Sequence, residues 1–311
     1  MDALEMMERN IKKRNFMTDI LQDALAAISG NSKKKEPTYQ TKVFQLRDIP
    51  NVMRSRLGWP VAASLMDRWF NGASFALSPE AKRSAEGNRL SQLPTTQLDE
   101  TTVTMAWALK FARVQTALAQ LQAKWPSTAG LTLLKRRVVR ESRQRTQQCW
   151  RFGNLDQPAK IIDDLFQVNY LGVGKSGDPM DDFYGAMGES QLNIAVSGIV
   201  TPQSGGKILI EIDELGFYLR DSYDFNDASL ISQPLGCWGF SGVECGLSTI
   251  LTIQIEDSTV DEKPSDVERR KYYVNNGDFQ KWRSKNNKGG DFMVLSDVYR
   301  VHLPFSQKFT L

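Results

Sequence analysis

Leu215-Gly-Phe-Tyr-Leu-Arg-Asp-Ser-Tyr-Asp-Phe-Asn226 opens as a strand, with Phe217 and Leu219 alternating with Tyr218 and Arg220. A period of two marks a sheet with one face buried. Carried on, the alternation puts Asp221 and Tyr223 on the face of Phe217 and Leu219. A lone carboxylate there is costly to bury without a cation, a donor or access to water. Asp224 points the other way, so Asp221 and Asp224 converge on one ligand only if the chain turns near Phe225-Asn226-Asp227. Asn and Asp favour such turns by bonding their own backbone. Two readings stand: carboxylates that cap a turn at a strand end, or an acidic site at a bend.

The period of two extends to both sides. Leu192, Ile194, Val196 and Val200 form one alternating face, Gln203-Ser-Gly-Gly206 is a turn, and Ile208, Ile210 and Ile212 form a second face. The Phe217 strand follows, completing an antiparallel meander. Cys237–Val243, Ser248–Ile255, Tyr272–Val274 and Phe292–Val301 add shorter strands. The N-terminal half has helical spacing instead. Asp2–Ser29 carries an apolar stripe closed by Gly30-Asn31, and Ser32–Pro37 is a charged linker. Pro60 opens a helix bearing Val61, Leu65, Met66, Trp69 and Phe70. Ser78–Pro94 is loop-like. Glu100–Trp125 is Ala-rich and stopped by Pro126, and Leu131–Gln148 is helix-prone and basic. These segments divide the chain into a helix and linker over 1–36, a helical domain over 37–155 and a β-rich domain over 156–311.

The 311 residues carry a net charge of +3, which fixes no partner class. No apolar run is long enough to span a bilayer. The three cysteines, Cys149, Cys237 and Cys245, lack metal-ligand spacing and read as buried thiols of a protein made in a reducing compartment, a Cys237–Cys245 bridge after export remaining open. His302 is the single histidine, which excludes sites built on a His pair. The basic run Lys135, Arg136, Arg137, Arg140, Arg143 and Arg145 is either a solvated helix face or a surface for phosphate or anionic membrane. The N-terminus lacks the basic-apolar-small pattern of a signal peptide, so action outside the cytoplasm requires another machine for delivery.

Asp221-x-Tyr223-Asp224-Phe225-Asn226 at the end of a meander resembles the active-site segment of colicin M-type bacteriocins, Mg²⁺-dependent hydrolases that cut lipid II. That resemblance implies an α+β fold with a helical N-terminal half and a C-terminal antiparallel sheet or half-barrel. It also implies Asp221, Tyr223 and Asp224 as catalytic residues, Asp221 and Asp224 as Mg²⁺ ligands, and Asn226 and Arg220 at the substrate. Hydrolysis of the polyprenyl-pyrophosphate bond needs charge neutralised on phosphate oxygens and an activated water or carboxylate.

The segment departs from that family, whose His-Arg pair is replaced here by Leu230-Ile231. Arg300 and His302 share one face of a later strand and carry the missing side-chain types, so they are catalytic candidates alongside the three motif residues. Gly289-Gly-Asp-Phe292 reads as a glycine turn into a strand, with Asp291 and Asp297 as further carboxylates. The whole chain also resembles an uncharacterised proteobacterial family associated with type VI secretion. The resemblance rests on Gly58-Trp-Pro60, Leu65–Phe70, Asp221–Phe225, Leu235–Trp238, Gly289–Phe292 and Ser296–Val298. Two expectations follow. One is an antibacterial toxin delivered to the periplasm of a rival cell, with lipid II as substrate, an immunity protein and a secretion carrier as partners, a membrane surface within reach and no nucleic acid. The other is a non-enzymatic adaptor, immunity or binding protein on the same scaffold.

Overall fold

Between Ile212 and Leu215 the apolar positions change phase, and the chain answers with a β-bulge instead of a break. Ser197 pairs with Glu214 while its neighbour Gly198 pairs with Ile212, leaving Asp213 as the extra residue. The two strands expected here are one, Ile208–Tyr223, of 16 residues. Ile210 and Ile212 before the bulge, and Leu215, Phe217 and Leu219 after it, all enter the same core. A bulge puts two consecutive residues on one face. Asp213 and Glu214 therefore both point away from that core.

The computed structural model describes residues 18, 21–22, 37–82, 89–143, 145, 148–175, 177–227, 232–244, 250–256 and 258–311. The expected Asp2–Ser29 helix and the linker before Pro37 lie almost wholly outside these residues, as do Leu230-Ile231 and Cys245. The helices that matter here are α1 (Pro60–Asn71), the short α2 (Pro79–Lys82), α3 (Ala112–Lys124), α4 (Thr128–Ser142), α5 (Ala159–Leu165), α6 (Asp182–Met187) and α7 (Asn276–Asn286). The strands of the two larger sheets begin with β1 (Leu98–Asp99), β2 (Trp150–Phe152), β3 (Gln167–Val173), β4 (Ser190–Pro202), β5 (Ile208–Tyr223) and β6 (Pro234–Gly239). They continue with β7 (Gly242–Glu244), β8 (Ile250–Thr252), β9 (Lys271–Asn275), β10 (Phe292–Leu295) and β11 (Tyr299–Thr310).

Among the described residues seven strands make the large sheet, in the order β1-β10-β5-β4-β2, with β11 also on β5 and β3 also on β4. A four-stranded sheet, β7-β6-β9-β8, stands beside it. The protein is thus α+β, mostly helical at first and then a curled, mainly antiparallel sheet forming a half-barrel. Trp69 of α1, Val114 of α3 and Val138 of α4 join Leu192, Phe217 and Val294 in one core, so the helical block and the sheet bury each other. The sheet's other face carries a smaller cluster of Leu77, Leu90, Leu98, Leu155, Tyr218 and Leu295.

The expected Glu100–Trp125 helix is two pieces, Met105–Ala108 and α3. Phe111 adopts an extended backbone between them and stands edge-on to Trp107, which stacks on Phe183. Aromatic packing overrides helix propensity at that corner. Leu131–Gln148 also shortens, since α4 ends at Ser142.

Candidate functional site

β5 ends at Tyr223, and the next residue but one forces the bend. Phe225 leaves the sheet to stack on Phe279, ring centroids 3.7 Å apart, and meets Trp69 edge-on at 4.9 Å. Asp224, left at the corner, accepts the Asn226 backbone N–H at 3.0 Å, closing an Asx turn. Its Oδ1 also lies 2.5 Å from Nζ of Lys82, the last residue of α2. One of the two motif carboxylates thus caps the turn and is paired with a lysine.

Asp221 stands opposite Val294 of β10, a residue of the main core, whereas Met293 and Leu295 enter the smaller cluster with Tyr218. By this register Asp221 is on the face of Leu219 and Tyr223. The helix of Lys82 packs Ala81 on the smaller cluster, the side of Tyr218 and Arg220. The two acids therefore lie around the strand end from each other, not side by side. They still interact: burial holds the Asp221 carboxyl well above the ordinary range, the backbone N–H of Ser222 opposes this, the charge of Asp224 adds to it, and Lys82 and Arg220 oppose it. Among the described residues no cation forms an ion pair with Asp221.

The remaining motif residues serve the core. Tyr223 stacks on Phe292 at 5.3 Å, and burial raises its phenol pKa. Arg220 is buried and donates to the Lys82 carbonyl at 3.3 Å. Its Nε, which has no hydrogen-bond partner among the described residues, lies 3.9 Å from Asp163, and Asp163 accepts the Tyr218 hydroxyl at 2.7 Å. Asn226 donates to Asp291 at 2.7 Å and accepts from Arg283 at 3.3 Å. Asp291 is 1% exposed and also takes Trp69 Nε1 at 2.8 Å, the Leu77 N–H at 3.0 Å and the Arg283 guanidinium. The carboxylate of the Gly-Gly-Asp-Phe turn thus ties α1, α7 and the bend together. Asp297, the other acid flagged there, accepts the Met105 N–H at 2.5 Å and starts a helix.

Arg300 and His302 do not reach the motif. On β11 they pair with Gly216 and Glu214 of β5. At 3.3 Å per residue these positions are about 17 and 23 Å along the strand from Asp221. Both side chains turn to Glu214 instead, Arg300 Nε at 2.6 Å and His302 Nε2 at 3.5 Å. Arg300 and His302 therefore do not replace the missing His-Arg pair: among the described residues the cations near the motif are Lys82, Arg220 and Arg283. Lys82 lies in a stretch that reads as loop, and Arg283 on a helix that the spacing does not reveal, so neither carried a local signal.

Asp221 and Asp224 are a small donor set for Mg²⁺. Among the described residues no three Asp, Glu, His or Cys side chains gather as a metal-holding group. The pair suits Mg²⁺ only in the open form, in which phosphate oxygens and waters complete the octahedron.

Fold and site define an α+β protein whose central strand ends in a bent acidic motif held by a buried aromatic and Asp–Arg network. The chain belongs to a family of unknown function, DUF6402, whose profile matches residues 44–311. No curated protein and no solved structure gives a significant match.

Proposed function

We propose that the chain is an antibacterial effector of the colicin M kind, a phosphodiesterase that hydrolyses the polyprenyl-pyrophosphate bond of lipid II and so blocks peptidoglycan synthesis. The observation that supports it is Asp221, an acid near the end of a core strand with no ion-pair partner among the described residues. Such a placement is costly, and perturbed acids of this sort concentrate at functional sites. Asp221, whose carboxyl is held above the ordinary range, is the general acid for the departing polyprenyl oxygen; Asp224 orients the attacking water and takes its proton; Lys82 faces the phosphate oxygens. The acids lie around the strand end from each other, so the pyrophosphate must cross the Tyr223–Phe225 bend. Mg²⁺ held by Asp224, with phosphate oxygens and waters completing its shell, would supply charge neutralisation on the phosphates. Delivery by type VI secretion and a cognate immunity protein belong to this reading through the family resemblance.

A second reading, a non-enzymatic adaptor, immunity or binding protein, is favoured by a specific observation. Tyr223 and Asn226, two of the motif's polar side chains, are committed to the core and to the Asp291 network. Targeting the chain to the periplasm of a bacterium separates the two. The effector reading expects lysis with the parent and survival with Asp224→Ala at equal expression. Survival with a folded parent would leave the binding reading.

A further inference from the structure

The smaller cluster covers only part of the sheet's second face. Beyond it the same face carries Ser197, Glu214 and His302 in one row across β4, β5 and β11, since Ser197 pairs with Glu214 and Glu214 with His302. Directly opposed residues share a face. The bulge adds Asp213. This row floors an open cleft of about 670 Å³, a size suited to a small organic molecule, with Leu155, Phe166 and Leu303 as apolar wall.

The ion pairs of the cleft are unequal. Glu214 is 6% exposed and grips Arg300 by its Nε edge. The outer edge of that guanidinium meets Asp156, whose side chain is 71% exposed. Arg151 donates to Asp213 at 2.9 and 2.7 Å and to Ser197 Oγ at 2.6 Å. Pairs with exposed acids contribute little and exchange readily, whereas the grip of a buried carboxylate fixes the guanidinium in place. Arginine anchored along one edge presents its other donors as a fork for tetrahedral or planar oxyanions.

We infer that this cleft is a binding site for a small organic phosphate, distinct from the Asp221 bend, and that Asp156 occupies the place of the ligand's anion on Arg300. A phosphate, with more acceptor oxygens than a carboxylate, answers Arg300 and Arg151 together. Four acids (Glu141, Asp156, Asp213, Glu214) line the cleft with three arginines (Arg145, Arg151, Arg300), so an anion is not drawn in by net charge. It binds by exchange, displacing Asp156.

That exchange makes the test selective. Inorganic pyrophosphate is titrated into the full chain at low salt by calorimetry, with succinate as a dicarboxylate arm. Asp156→Ala, which removes the competing acid, is expected to bind pyrophosphate about tenfold tighter than the parent, and Arg300→Ala at least about tenfold more weakly. Circular dichroism checks each variant, and Glu214→Gln, which keeps the shape but loosens the grip on Arg300, should weaken binding if Arg300→Ala does not fold. Pyrophosphate affinity unchanged or weakened by Asp156→Ala would overturn the proposal. So would succinate binding as tightly as pyrophosphate, or no saturation with either protein at millimolar pyrophosphate.

Discussion

Lys82 closes on Asp224, with Nζ 2.5 Å from Oδ1, although 142 residues separate them in the chain. The lysine ends a helix of one turn and the aspartate directly follows the strand that centres the sheet, so this pair fastens a peripheral segment to the bend. The side chain of Asp224 is 8% exposed and that of Lys82 27%, which puts the pair between a rim salt bridge and a buried one. Lys82→Met leaves Asp224, among the described residues, only its turn hydrogen bond and is expected to cost about 1–3 kcal/mol. A urea midpoint equal to that of the parent would show the pair to be idle.

Asp221 makes the opposite prediction. Burial raises its pKa in the native state, so the native state binds the proton more tightly than the unfolded chain does. The stability this confers is fully present below the unfolded carboxylate value of about 3.9 and is lost as pH rises from there through the raised native value. Asp221→Asn removes the loss. The variant should be more stable than the parent at pH 7, on the order of 1 kcal/mol or more, with the gap closing near pH 3. Melting curves at the two pH values check it, and a variant less stable at pH 7 would assign Asp221 a structural partner.

The Asp291 network should fail hard when broken. Asp291→Asn leaves the Arg283 guanidinium, itself mostly buried, without its counter-charge. Breaking a buried ion pair from one side costs about 3–5 kcal/mol. Asn226→Ala, which removes one donor to the same carboxylate, should cost about 1–2 kcal/mol. Equal losses for the two variants, measured by denaturant unfolding, would contradict the ranking.

Trp69 offers a test of packing against polarity. It touches Phe70, Phe225, Phe279 and Trp282 and donates to Asp291. Trp69→Phe keeps an aromatic filler but deprives Asp291 of a donor, and Trp69→Ala also opens a cavity. Expected losses are about 1–3 kcal/mol for the first and 3–5 kcal/mol or more for the second. Near-equal losses would mean that the hydrogen bond, not the ring, carries the residue.

The fold was legible where one face of an element is buried. Leu65, Met66, Trp69 and Phe70 announced α1, and the alternating residues of 192–200 and 208–219 announced β4 and β5, because burial imposes the period. Even the bulge was written there, as the shift from Ile210 and Ile212 to Leu215 and Phe217, although it read as two strands. The turn after Tyr223 was legible through Asn and Asp chemistry. What escaped depends on chain segments far apart. Nothing local to Lys82 points to Asp224, and nothing in Gly289-Gly-Asp-Phe292 says that Asp291 accepts from Trp69, Arg283 and Asn226. The face shared by Arg300 and His302 was legible, but not their place along β5, because strand register is set by the partner and not by the strand itself.

The most direct test of the proposed chemistry uses purified chain, lipid II labelled in its polyprenyl tail, and Mg²⁺. The account predicts release of free polyprenol by the parent and loss of at least about a hundredfold in rate for Asp224→Ala. Lipid II left intact by a folded parent, with and without added divalent cation, would contradict it.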